Sequence, residues 1–151
     1  MKNIRTAIIL CGGRGLRLGS ISKKLPKSLV KIQGRPIIWY IINHLKQNNF
    51  NHLILPLGYK GNLIKDYIKN KKFFDIKIDL INTGISSNIG TRIKKILNKI
   101  QSENLLILNG DAIFDFNLDK IFKKHIKDNI GVTFLNAEST YQFGTVCVQN
   151  N

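Results

Sequence analysis

Residues 11–28, CGGRGLRLGSISKKLPKS, hold four glycines, one proline and five cationic side chains, and no carboxylate. They follow an apolar run, Thr6 to Leu10. Glycines after such a run let backbone N–H groups approach an anion closely, and Arg14, Arg17, Lys23, Lys24 and Lys27 supply charge that neutralises it. Phosphate is the ligand this chemistry suits. A P-loop is excluded because GxxxxGK[ST] does not occur. A dinucleotide fingerprint starts at Gly13-Arg14-Gly15, but Gly19 is one place late for the third glycine. The ribose-binding carboxylate expected about 20 residues further on is also missing, since no Asp or Glu precedes Asp66. A glycine turn that merely packs would leave the five cations without a role.

The elements that must carry this loop follow from hydrophobic periodicity. Apolar runs at 5–11, 52–57 and 105–111 and an alternating segment at 75–81 read as strands, with further strands expected near 130–136 and 142–149. Helical spacing marks a helix opened by Pro36, a short one over 61–70, one over 91–100 and one capped by Asn117. Strands alternating with helices predict an α/β fold: a Rossmann-like, doubly wound, mostly parallel sheet with helices on both faces. Ligands of such sheets sit beyond the carboxyl ends of the strands. The turns there are CGGRGLR, LGYKG, NTGISSNIG and NGD, which are also the richest glycine stretches of the chain.

Composition bounds the rest. A chain of 151 residues is expected to form a single domain over 1–151. No apolar run approaches the roughly 20 residues of a membrane span, so a soluble cytoplasmic protein without membrane contact is expected. Cys11 and Cys147 are the two cysteines and form no CxxC, so they read as small packing residues. The net charge of +15 points to polyanionic partners. A nucleic-acid-binding module is the rival reading, but the aromatics fall within apolar runs rather than among the cations, which disfavours nucleic acid. The lysines from Lys94 onward sit beside apolar stripes and read as solvated helix faces. His44, His52 and His125 lack ligand spacing and, like Trp39, are assigned to packing. Tyr59 and Lys60 either line the pocket or lie in a solvated loop.

Gly12-Gly13-Arg14-Gly15-Leu16-Arg17-Leu18, then Pro26-Lys27-Ser28-Leu29-Val30 and Gly34-Arg35-Pro36-Ile37, resemble the GGxGTRL…PKPLV…GKP pattern of the sugar-phosphate nucleotidylyltransferases. Gly58-Tyr59-Lys60-Gly61, Thr83 to Ser87 with Gly90-Thr91-Arg92, and Trp39 most resemble the glucose-1-phosphate cytidylyltransferases of that family. Asn109-Gly110-Asp111 and Phe143 to Val146 are also similar to heptose-1-phosphate guanylyltransferases. Leu16 stands where the family has threonine, and Ser28 where proline is commoner.

The resemblance implies transfer of a nucleoside monophosphate, CMP by preference, from a nucleoside triphosphate to a sugar 1-phosphate, with Mg2+ as cofactor. It implies that Arg17 and Lys27 are catalytic, contacting the reacting phosphates and the departing pyrophosphate. Cys11, Gly12, Gly13, Gly15, Ser86 and Gly90 would bind the nucleotide, and Asp111 would hold the metal. Family members continue for roughly another hundred residues, within ordinary domain sizes. A nucleotide-binding half is therefore expected that lacks the sugar-binding part and a second metal carboxylate, transfers poorly by itself, and forms a homo-oligomer or joins a completing chain.

Overall fold

A computed structural model of the chain describes residues 5–15, 19–20, 22–71 and 76–135. Arg17 and the strand expected at 142–149 lie outside the described residues. In chain order the elements are β1 (Thr6–Leu10), β2 (Lys31–Ile32), β3 (Arg35–Pro36), α1 (Ile37–Gln47), β4 (His52–Leu57), α2 (Gly61–Lys71), β5 (Lys77–Asn82), α3 (Ile89–Ile96), β6 (Leu105–Asn109) and α4 (Leu118–Asp128).

The apolar runs become a four-stranded sheet in the order β5-β4-β1-β6. Every pairing in it is parallel, with Thr6 opposite both His52 and Leu105, and His52 opposite Lys77. Successive side chains of a strand point to opposite faces. Ala7, Ile9, Leu53 and Leu55 accordingly pack with Ile38, Ile41, Ile64 and Leu118 of α1, α2 and α4. Ile8 and Ile54 pack with Ile96 of α3 on the other face. The reversal has a topological cause. The chain steps outward from β1 through β4 to β5, then returns past them to β6, and right-handed crossovers put α3 on the face opposite α1 and α2. The predicted doubly wound α/β class is what forms.

Local chemistry sets the ends of the elements. The Asn88 side chain accepts the Thr91 N–H at 2.8 Å, so α3 begins at Ile89 and gives way to a 3-10 turn at Leu97–Lys99. Asn117 caps α4 in the same way through Lys120. Between β1 and α1 lies a small hairpin, β2 paired antiparallel with β3, which periodicity did not reveal. Its turn places Gln33 and Gly34 at φ 48° and 80°, the pair of positive angles that a two-residue hairpin turn requires. The strand expected near 130–136 is corrected: residues 130–135 carry no strand, and Phe134 is 87% exposed. An apolar run without a neighbouring ladder cannot satisfy its backbone as a strand.

At the amino ends of the strands, Arg5 ties three elements together. It is ion-paired with Asp119, bonds the Asn48 carbonyl, and lies over the Phe122 ring. Hydrogen bonds from Lys123 and Arg5 hold the Asp119 carboxyl down at about 2. A carboxyl lowered in the folded state contributes stability above its unfolded pKa and loses it as pH falls through the folded one. Asp119→Asn should therefore lower the urea midpoint at pH 7, and the gap from the parent should close as pH falls from about 4 towards 2.

Candidate functional site

The carboxyl ends of β1 and β6 are adjacent, although four strands and three helices separate them in sequence, and a cavity of about 670 Å3 opens there. It is lined by the turn after β1 (Cys11 to Gly15), by Lys27 and Ser28, by the turn leading into α3 (Ile85 to Ile89), and by Asn109 to Asp111 at the end of β6. This is the point where the strand order reverses, the usual ligand crevice of an open parallel sheet.

Two side chains of opposite charge meet in it. Lys27, on a 3-10 turn at Lys27–Leu29, is ion-paired with Asp111 in the turn after β6. Both are partly open to solvent, so the pair is held loosely enough to exchange partners for an anion and a cation. Gly110 brings Asp111 to this place. Its N–H extends the ladder to the Leu10 carbonyl at 3.1 Å, and a Cβ there would lie 2.5 Å from Cys11 Sγ. Cys11 is 6% exposed, and burial pushes its thiol up to about 12, with the nearby Ser28 hydroxyl working in the other direction. A thiol neutral at physiological pH packs the floor of the cavity and is no nucleophile.

Arg92, noted in the sequence only within Gly90-Thr91-Arg92, receives no role there. It sits on α3, four residues before the fully buried Ile96, and its own exposure is 5%. One guanidinium nitrogen donates to Thr83 Oγ1 at 2.6 Å and to the Leu57 carbonyl at 3.2 Å. The other donates to the Gly12 carbonyl at 3.0 Å and to the Ile85 carbonyl at 3.4 Å. One side chain thus joins the turns after β1, β4 and β5, a task that needs the five-donor fork of arginine and exceeds a lysine. Burial lowers its pKa from the ordinary value.

Its effect on the glycine loop follows from peptide geometry. The Gly12 carbonyl accepts from both Arg92 and the Tyr59 N–H, so it points into the protein. The peptide bond is trans, which sends the Gly13 N–H the opposite way, towards the cavity. A Cβ on Gly13 would meet nothing within 4 Å. A Cβ on Gly58 would lie 2.6 Å from both the Gly12 carbonyl oxygen and the Arg92 guanidinium. Gly58→Ala should destabilise by about 1–3 kcal/mol in urea unfolding. Gly13→Ala should stay within about 0.5 kcal/mol of the parent.

The remaining candidates fall as follows. Gly12 is buried, Gly13 and Gly15 line the cavity, and Ser86 lies exposed in the turn before α3. Gly90 sits inside the first turn of α3, and Ile89 rather than Gly90 borders the cavity. Tyr59 and Lys60 are more than loop residues: the Tyr59 hydroxyl donates to the Ser22 carbonyl at 3.3 Å and Lys60 donates to the Lys23 carbonyl, pinning the cationic segment. The three histidines face other work. His52 bridges Thr6 and Asp79 at 3.3 and 2.9 Å, His44 meets the Phe116 carbonyl, and His125 meets Asn104 and Thr133. Among the described residues no three carboxylate, histidine or cysteine side chains cluster as a metal site. Asp111 is the carboxylate in the cavity lining, and one carboxylate suits a hard cation that takes its other oxygens from phosphate and water. No helix among the described residues is long and apolar enough to cross a membrane.

Comparison with known proteins follows the same outline. The sequence model of the nucleotidyl transferase family matches residues 6–151. A probable glucose-1-phosphate cytidylyltransferase of Bacillus subtilis is 30% identical over 95% of this chain and 65% of its own length. A D-glycero-alpha-D-manno-heptose 1-phosphate guanylyltransferase of Campylobacter jejuni is 37% identical over 94% of this chain and 62% of its own. The crystal structure of HddC from Yersinia pseudotuberculosis complexed with GMP-PN superposes with a TM-score of 0.71 at 27% identity, covering 82% of this chain and 55% of that one. The chain spans a little under two thirds of the length of these curated relatives.

Proposed function

The chain belongs to the nucleotidyl transferase family, and from that premise we propose that it carries the nucleotide site of a sugar-1-phosphate nucleotidylyltransferase. The observation that supports this reading is the meeting of Lys27 and Asp111 beside the Gly12–Gly13 backbone in one cavity. In the reaction an oxygen of the sugar 1-phosphate attacks the α-phosphorus of the nucleoside triphosphate. The bond from that phosphorus to the bridging oxygen breaks, and pyrophosphate leaves with the electron pair. Little covalent chemistry falls to the protein, so its task is positioning and the stabilisation of charge on the phosphates.

Each residue has a part suited to its surroundings. The Gly13 N–H faces the cavity as a fixed donor for a phosphate oxygen. Lys27 turns from Asp111 to the triphosphate when an anion enters. Asp111 would hold magnesium, which when bound would offset the charge of the phosphates. Arg17, next to the loop, is proposed to meet the departing pyrophosphate, and Ser86 with Gly90 to shape the enclosure of the base. CTP and GTP are the two nucleotides proposed, because the relatives named above are a cytidylyltransferase and a guanylyltransferase. The product would be a nucleotide sugar, made in the cytoplasm for surface polysaccharide.

A thermal-shift screen of ATP, CTP, GTP and UTP with magnesium tests the reading. At a hundred times its dissociation constant, a nucleotide that binds only the folded chain adds about 2.7 kcal/mol, a rise of several degrees for a chain of this size. CTP or GTP should give it. Unmoved melting with all four at millimolar concentration would contradict the proposal.

A further inference from the structure

A second cavity, of about 570 Å3, opens between the β2–β3 hairpin, the first turn of α1 and the end of α2. Its size is that of a small-molecule site. Leu25 and Leu29 give it an apolar wall, Trp39 and Tyr67 an aromatic one, and Lys31, Arg35 and Lys71 bring three cations to its rim. No carboxylate lines it. None of the three cations is ion-paired among the described residues. Three like charges around one hollow make a local positive potential that an anion relieves. The Arg35 guanidinium carbon lies 3.9 Å from the centre of the Trp39 ring, a stacking that orients its donors. Its charge also reaches the Tyr67 hydroxyl, whose pKa burial raises and Arg35 draws back.

We propose that this cavity is a second ligand site, for an organic phosphate whose ring lies against Trp39 and Leu29 and whose phosphate meets Arg35, Lys31 and Lys71. The site is a neighbour of the first. Leu25 and Leu29 face it, while Lys27 and Ser28 of the same short segment line the first cavity. One turn of backbone is the wall between them, so an occupant presses on the turn that carries Lys27. This inference stands apart from the function proposed above, and its test separates the two.

Trp39 is the only tryptophan in the chain, so its emission reports occupancy. The probes are CMP and glucose 1-phosphate, titrated separately, with inorganic phosphate as the reference that lacks a ring. A saturable change with CMP or with glucose 1-phosphate is expected, and which of the two gives it identifies the body the cavity accepts. Affinity should fall at least about tenfold in Arg35→Ala and in Lys71→Ala, the loss of a charge-assisted contact, and should be unaltered in Asp111→Asn. Matching thermal melts show that the variants fold, and Lys71→Ala carries the test if Arg35→Ala does not. The proposal is overturned if neither organic phosphate gives a saturable change at millimolar concentration. It is equally overturned if the change is lost in Asp111→Asn and survives in both rim variants.

Discussion

Replacing Arg92 with methionine should abolish saturable nucleotide binding and destabilise the chain by about 3 kcal/mol or more. Methionine fills much of the volume and removes every donor. The carbonyls of Gly12 and Leu57 and the Thr83 hydroxyl lose a charged partner in a buried setting, and a hydrogen bond to a charged group contributes about 1.5–3 kcal/mol. The Gly12 carbonyl then keeps the Tyr59 N–H alone, and the Gly13 N–H is held less firmly towards the phosphate position. Arg92→Lys should restore part of the stability and little of the binding, because one ammonium cannot serve three turns. Urea unfolding with a parallel nucleotide titration separates the two effects. Binding that survives in an Arg92→Met variant would show that the glycine loop is ordered by something else.

Asp111→Asn makes the complementary case, a large functional loss at small structural cost. The Lys27–Asp111 pair is partly exposed, and such a pair is worth about 1 kcal/mol or less, so melting should hardly move. Nucleotide transfer by an enzyme that carries this site, in contrast, should fall on the order of a hundredfold, the usual penalty for losing a contact that stabilises developing charge. The magnesium dependence of nucleotide affinity should vanish as well, since an amide oxygen is a poor substitute for a carboxylate towards a hard cation. Full transfer rate in the variant would remove Asp111 from the site.

How far the sequence disclosed this arrangement depended on whether a signal was local. The strands at 52–57 and 105–111 were legible because buried parallel strands read as unbroken apolar runs, and the four glycine-rich turns pointed to the rim before any strand order was known. The Gln33-Gly34 hairpin was missed because two-residue strands have no period to detect. The segment near 130–136 has the composition of a strand but no described neighbour to pair with. Arg92 stayed hidden for a different reason. It stands with Lys94 and Lys95 on a helix with an apolar stripe, where a charge usually means a solvated face, and its contacts join positions 7 to 80 residues away. Two signals were available, its spacing of four from Ile96, on the buried side, and its place in Gly90-Thr91-Arg92. Asp111 and Lys27 could each be picked out in the sequence, and their pairing arose only when β6 came to lie beside β1.

A nitrogen-15 amide correlation spectrum of the chain, titrated with magnesium and CTP and then with magnesium and GTP, tests the central claim most directly. At least one titration should shift the amides of Gly12, Gly13, Gly110 and Asp111 together with those of Ser86 to Ile89, and leave Asn51, Lys77 and Asn129 in place. Shifts gathered at those last three residues, or none in the glycine turns at saturating nucleotide, would contradict a polyphosphate held at the carboxyl rim of the sheet.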